Sequence, residues 1–335
     1  MEEQRGTVVI EAFESPALRG NPLGDPWQRE VPVYLPPEYD ADASRRYPTI
    51  YWLHGFTGFG LAAIRPSPWV PSLPELMDRV IAAGAPPAIL VMADGWTRFG
   101  GSQYLNSVAN GDYEDSLVND LVPFIDRRYR TLPAAAHRGI DGKSSGGFGA
   151  LTLGMRHPDV FSAIASHSGD CGFEYCYLPD FPAAQRAIEK AGGVDAYLDH
   201  FLTLKKKSDA IQALNIIAMA MAYSPNSSAG RYRVELPFDL YSGEIRIELW
   251  ERWLGWDPVR AAEQHVEALR QARLLYFECG VRDQFNLHLG NRMLHRRLEA
   301  LGVPHEYQEF DDNHSDINYR YVESLGRLAR ALAPD

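Results

Sequence analysis

The spacing of hydrophobic and polar residues changes its grammar once along this chain. Near the start, Thr7 to Phe13 and Glu30 to Leu35 are short runs with alternation such as Val31-Pro32-Val33-Tyr34. A Gly/Pro-rich turn at 20–26 separates them, and together they predict an antiparallel pair of strands. From Tyr47 onward, apolar runs alternate with helical patterns. Tyr47 to Leu53 and Ala88 to Met92 are nearly continuous apolar runs, as strands covered on both faces should be. A helix is predicted over Leu73 to Ala82. A second runs over Asp115 to Tyr129, with Leu117, Leu121, Phe124 and Ile125 on one face. A short strand at Arg138 to Asp141, a helix over Phe148 to Met155 and a strand at Phe161 to Ser166 follow. Late in the chain the pattern resumes: strand Leu274 to Cys279, helix Leu287 to Leu301, strand His305 to Phe310, helix Ile317 to Leu332. This alternation predicts an α/β fold with a mostly parallel sheet.

One stretch breaks the pattern. Residues 170–272 are helix-prone (Phe181 to Ala191, Val194 to Leu204, Asp209 to Ala222) and carry Trp250, Trp253 and Trp256. No Gly/Ser-rich linker flanks them. The expectation is one domain over residues 1–335, with 170–272 as a helical, cap-like insertion over the carboxyl edge of the sheet.

Between the predicted strand at 138–141 and the next helix stands Gly142-Lys143-Ser144-Ser145-Gly146. Strand, Gly-x-Ser-x-Gly, helix is the context of a nucleophile elbow, a sharp turn whose serine needs nearly side-chain-free neighbours two residues away. A serine alcohol attacks only when a base takes its proton, so Ser144 needs a histidine. Of ten histidines, His314 stands in a polar loop, Asp311-Asp312-Asn313-His314-Ser315, directly after the last predicted strand. That is where an α/β enzyme presents reactive groups. His157, His200, His265, His288 and His295 read as polar residues on helices. Asp283, in the loop after the strand ending at Cys279, completes the order serine, acid, histidine. Asp311 and Asp312 are rivals for the acid, but both are close to His314 in sequence and read better as loop-solvating charges. For the oxyanion, the Phe56 amide in Leu53-His54-Gly55-Phe56 and the Ser145 amide at a helix N-terminus are the candidate donors. His54 itself reads as a structural loop residue.

Composition narrows the partners. With 33 basic and 44 acidic residues the net charge is −11, which argues against nucleic acid and against anionic membranes. No apolar run is long enough to span a bilayer. Cys171, Cys176 and Cys279 lack the spacing of a zinc site and read as free thiols of a reducing compartment. Met1 to Gly6 has no apolar signal core, and a cytoplasmic location is expected. The expected partner is a small-molecule ester, and a homodimer stays open.

Laid out this way, the chain resembles the esterase D-like family of α/β-hydrolases. That family takes in S-formylglutathione hydrolases, feruloyl esterases, enterochelin-esterase-like proteins and secreted mycolyltransferases. The likeness rests on Leu53-His54-Gly55, the run Asp120 to Asp126 with Tyr129-Arg130, the elbow through Gly149, Gly280 to Phe285, and the His314 loop. It spans Val31 to the C-terminus. It implies an α/β-hydrolase fold with helices on both faces of the sheet and a serine carboxylesterase acting without cofactor or metal. It places Ser144, Asp283 and His314 on the family's triad, and Phe56 and Ser145 on its oxyanion donors. Lys143 stands where S-formylglutathione hydrolases usually carry histidine, which argues against that branch. Short-chain or aryl esters are the expected substrates. Thioesterase or acyltransferase chemistry, or a catalytically silent binding module, is the alternative. Trp96, Tyr104 and Cys171, all expected at the same sheet edge, are the candidate substrate contacts.

Overall fold

The computed structural model describes residues 5–65 and 67–334. Met1 to Gln4, Pro66 and Asp335 lie outside the described residues, and with them most of the N-terminal stretch behind the localisation expectation. β1 (Thr7–Glu14) and β2 (Gln28–Leu35) pair antiparallel from Thr7 opposite Leu35 to Glu14 opposite Gln28. β2 then pairs antiparallel with β4 (Ile89–Ala93), and from there every neighbour is parallel. The parallel strands are β3 (Thr49–Leu53), β7 (Arg138–Lys143), β8 (Ala163–His167), β9 (Leu274–Gly280) and β10 (Glu306–Phe310). The eight-stranded order is β1-β2-β4-β3-β7-β8-β9-β10, and β5 (Asn106–Ser107) with β6 (Gly111–Asp112) forms a separate hairpin. β3, β4, β8 and β9 are buried at every position, which is why they read as continuous apolar runs.

Alternate residues of these strands feed two cores. Ile50, Trp52, Leu90 and Met92 pack with α1 (Leu73–Ala82) and α13 (Tyr321–Leu332). Tyr51, Leu53, Val91 and Ile140 pack with α3 (Val122–Arg128), α4 (Ser145–Arg156) and α12 (Leu287–Ala300), after the short α2 (Tyr113–Asp115). α1 starts where its sequence says it should. Ser72 accepts from the Glu75 amide while Glu75 reaches back to the Ser72 amide. The helix expected over Asp115 to Tyr129 is present but irregular, with a π-helical stretch at Ser116–Leu121 before α3. Pro123 has no N–H to return to the residue 119 carbonyl, and the hydrogen-bond ladder widens just ahead of it.

Between β8 and β9 the chain forms α5 (Phe173–Cys176), α6 (Phe181–Ala191), α7 (Val194–Thr203), α8 (Ile211–Tyr223), α9 (Ile247–Trp256), α10 (Pro258–Ala261) and α11 (Val266–Gln271). Their core is aromatic. Phe173, Tyr177, Tyr223 and Trp253 stack edge-on or tilted within 4.8–6.2 Å of one another. Phe148 of α4 joins them, so these helices are built directly onto the helix that follows Ser144. The Asp257 carboxylate accepts from the amides of Gly172, Phe173 and Val259, tying the starts of α5 and α10 together. No helix among the described residues is long and apolar enough to cross a membrane.

Candidate active site

β7 ends in a sharp turn that leads into α4. Ser144 sits at φ +59°, ψ −126°, a conformation that costs a non-glycine residue energy and is held by its surroundings. Its amide donates to the His167 carbonyl at 3.0 Å, and its carbonyl accepts from the Phe148 amide at 2.9 Å. A Cβ on Gly142 would collide with the Gly146 carbonyl, and one on Gly146 with the Leu53 carbonyl. These two glycines are therefore required by packing, as the Gly-x-Ser-x-Gly reading expects.

The loops after β9 and β10 bring the other two groups together. His314 Nδ1 lies 2.8 Å from Asp283 Oδ2. Asp283 Oδ1 accepts from the amides of Phe285 (2.9 Å) and Leu287 (3.4 Å), so the carboxylate is fixed from its own loop. The Gln284 side-chain oxygen accepts the His314 amide at 3.0 Å, and the Phe285 ring stands edge-on to the imidazole with centroids 4.9 Å apart. A carboxylate on Nδ1 assigns the proton to that nitrogen and leaves Nε2 as the acceptor. Asp311 and Asp312 do not reach the ring. Asp312 holds the Tyr319 hydroxyl and the Asn313 amide, and Asp311 pairs with Arg282.

Ser144 and His314 both line two cavities of about 620 and 580 Å3. The first runs towards α1 and carries Arg65, Lys143 and Asp316. The second lies beneath α8 and carries Asp170, Tyr177 and Asn215. Among the described residues no hydrogen bond joins the Ser144 hydroxyl to the imidazole, a looseness common before substrate binds. The Phe56 and Ser145 amides make no hydrogen bond among the described residues, and both residues line the second cavity. Gly55 lies so close that a Cβ there would be 3.3 Å from the Ser144 Cβ, which brings the Phe56 amide alongside the serine. Unbonded amides in the cavity that Ser144 lines are donors an oxyanion hole could use.

The pocket candidates fare differently. Tyr104 is buried beneath the Leu53–Phe56 loop, its hydroxyl donating to the His54 carbonyl at 2.8 Å. Trp96 turns its carbonyl to Arg29 and Tyr113, and its ring does not line either cavity. Cys171 is wholly buried against Gly290, and burial pushes its thiol pKa well up. From that loop Asp170, not Cys171, faces the cavity. His54 is a loop fastener: Nδ1 bonds the Gly55 carbonyl and Nε2 accepts the Gly95 amide. Among the described residues no group of three or more His, Cys, Asp or Glu could hold a metal ion.

One functional-looking group escaped the sequence reading. His167, at the end of β8, is buried between Asp141 of β7 and Glu278 of β9, with Nδ1 2.7 Å from Glu278 and Nε2 3.4 Å from Asp141. Arg320 closes the network onto Glu278. Burial alone would lower the histidine pKa, but the charge and hydrogen bonds of Asp141 and then Glu278 push it up to about 9. Only the parallel register that sets His167 beside Glu278 could have revealed it.

The comparisons agree with this architecture. A ferulic acid esterase of known structure superimposes with a TM-score of 0.62 at 19% identity, covering 98% of this chain and 99% of that one. An S-formylglutathione hydrolase from Agrobacterium tumefaciens gives 0.62 at 15% identity, over 98% and 97%. These likenesses establish the α/β-hydrolase fold. An esterase of Mycobacterium tuberculosis is 31% identical over 150 residues, 43% of this chain but only 29% of that protein's length. The family model described as "Putative esterase" matches residues 25–325. The chain therefore belongs to the Esterase family of α/β-hydrolases.

Proposed function

We propose that the protein is a serine carboxylesterase that cleaves short-chain or aryl esters by two-step acyl transfer. Ser144 attacks the ester carbonyl while His314 Nε2 takes its proton, and Asp283 holds the tautomer and stabilises the imidazolium that forms. The tetrahedral oxyanion lies between the Phe56 and Ser145 amides. His314 then protonates the departing alcohol, and in the second half it activates water to release the acid from Ser144. The observation that carries this reading is the strained Ser144 turn facing the same cavity as the Asp283-bound imidazole. Each cavity is of the size of a small-molecule site. The three buried thiols are free, which favours a reducing compartment.

The test is turnover of p-nitrophenyl acetate and longer p-nitrophenyl esters by wild type and Ser144→Ala. Wild type should show rates that fall with chain length, and the variant should lose roughly 10^4-fold or more. Equal rates in two equally folded proteins would remove Ser144 from the mechanism.

A further inference from the structure

The second cavity holds a carboxyl group that the acyl-transfer steps do not use. Asp170 stands at the carboxyl end of β8, its backbone amide 3.4 Å from the Ser144 carbonyl. Its Oδ2 accepts three hydrogen bonds, from the hydroxyl of Tyr177 (2.8 Å), the amide of Gln103 (3.2 Å) and the hydroxyl of Ser145 (3.2 Å). Among the described residues Oδ1 has no partner, and Asp170 lines the cavity, so Oδ1 is the carboxyl atom left to face it. Among the described residues no arginine or lysine pairs with this carboxylate, although buried carboxylates are ordinarily matched by a cation or by donors on both oxygens.

The surroundings are built to keep it there. Gln103 and Tyr104 both take left-handed φ values, +54° and +56°, and the strain places the Gln103 amide where it bonds Asp170 and the Tyr223 hydroxyl (2.8 Å) together. Tyr177 and Tyr223, the last residue of α8, lie in the aromatic core, so both hydroxyls are held by packing. Burial raises the Asp170 pKa, and the bonds from Tyr177 and Gln103, the charge of His314 and the bond from Ser145 draw it back. Asn215 of α8 also lines this cavity, has no hydrogen-bond partner among the described residues and offers both donor and acceptor.

An open acceptor of this kind, in a cavity that also offers a free amide, suits a hydroxyl group. We infer that the cavity beneath α8 selects esters that carry an aliphatic hydroxyl a few atoms from the scissile bond, with Asp170 Oδ1 as its acceptor. The inference rests on the esterase reading for the position of the scissile bond. A site built to bond a substrate hydroxyl discriminates strongly against the analogue lacking it, because the buried acceptor is then left unpaired. Asp170 is a specificity-determining residue here, not a group that moves a proton.

The test compares matched esters differing by one hydroxyl. Methyl 3-hydroxybutyrate against methyl butyrate places it on the acyl side, and 3-hydroxypropyl acetate against propyl acetate on the alcohol side; both are followed by pH-stat. In one of the two pairs, wild type should favour the hydroxylated ester by about tenfold or more in kcat/KM. In Asp170→Asn the three inner donors hold the amide oxygen inward and turn the NH2 to the cavity, which exchanges a charged acceptor for a neutral donor, and the ratio should fall several-fold. The pair that responds tells which side of the ester occupies this cavity. A wild-type ratio near one in both pairs, or a ratio that survives Asp170→Asn, overturns the inference, and a loss of stability alone counts against it. Calorimetric titration of Ser144→Ala with the same esters reads binding apart from turnover. If Ser144→Ala still hydrolyses them, the esterase mechanism falls, while the ratio in Asp170→Asn still decides the role of Asp170.

Discussion

Asp283 has its two oxygens divided between two tasks. Oδ1 is occupied by the Phe285 and Leu287 amides and Oδ2 by His314 Nδ1. In Asp283→Asn the backbone donors keep the amide oxygen, so the NH2 faces the imidazole and drives the proton to Nε2. The base is then in the wrong tautomer. The expected result is a fall in kcat of roughly 10^4-fold with KM changed far less; steady-state kinetics on p-nitrophenyl acetate reads it, and a loss below about tenfold would contradict the assignment. At this scale the meeting of Asp283 with His314 at the cavity that Ser144 lines was foreseeable, because each position needs only a local signature: a glycine-framed turn, or a polar residue just after a strand. Trp96, Tyr104 and Cys171 were chosen on the same logic and face elsewhere, since which side of a loop reaches a cavity is decided by packing. Tyr104 illustrates this, wedged where Gly95 and Gly149 leave room for its ring. Asp170 adjoins Cys171 in sequence, but its surroundings are set by Gln103 and Tyr223, which are remote from it in the chain.

Elements carry the next layer, and here the buried network across β7, β8 and β9 makes a pH-dependent contribution. His167 faces Asp141, Glu278 and the rings of Tyr276 and Tyr321, with Arg320 on the far side of Glu278. Its pKa is raised to about 9, above the usual histidine value of about 6.5. The stability it gives is therefore complete below about pH 6.5 and is lost as pH rises through about 9. Glu278 behaves in the opposite sense. Burial would raise it, but Arg320, His167 and Tyr276 hold it down to about 2, so its contribution is present above about pH 4.5 and lost as pH falls towards 2. Urea unfolding of wild type and His167→Gln should differ most near pH 6 and converge towards pH 9.5. A gap that does not change with pH would refute the charged assignment. The strands of the main sheet were readable from the sequence pattern, and α1 and α6 from their helix-prone runs. The π-helical stretch ahead of Pro123 was not, because the apolar spacing of Leu117, Leu121 and Ile125 is satisfied by either winding.

At the scale of the whole molecule, α10 and α11 pack in the core of the sheet, while α5 to α9 are joined to α4 through an aromatic core. Trp253 is its fully buried centre, donating from Nε1 to the Ser224 hydroxyl at 2.9 Å and packing on Tyr177 and Tyr223. Trp253→Ala should cost about 3–5 kcal/mol in denaturant unfolding. Because those two tyrosines hold Asp170 and Gln103, KM for the preferred ester should rise in the protein that remains folded. A cost below about 1 kcal/mol would mean the helices are held some other way. The alternation of strands and helices made the sheet and its connections foreseeable. The division of the site into one cavity with Lys143 and Arg65 and another with Asp170 was not, since it arises from the meeting of loops far apart in the chain. The central claim concerns a single atom, the Ser144 Oγ. Intact mass and peptide mapping after treatment with a serine-directed fluorophosphonate test it most directly. One adduct, mapped to Ser144 and accompanied by loss of esterase activity in proportion, is the predicted result; an adduct on another residue, or full activity with Ser144 labelled, would contradict it.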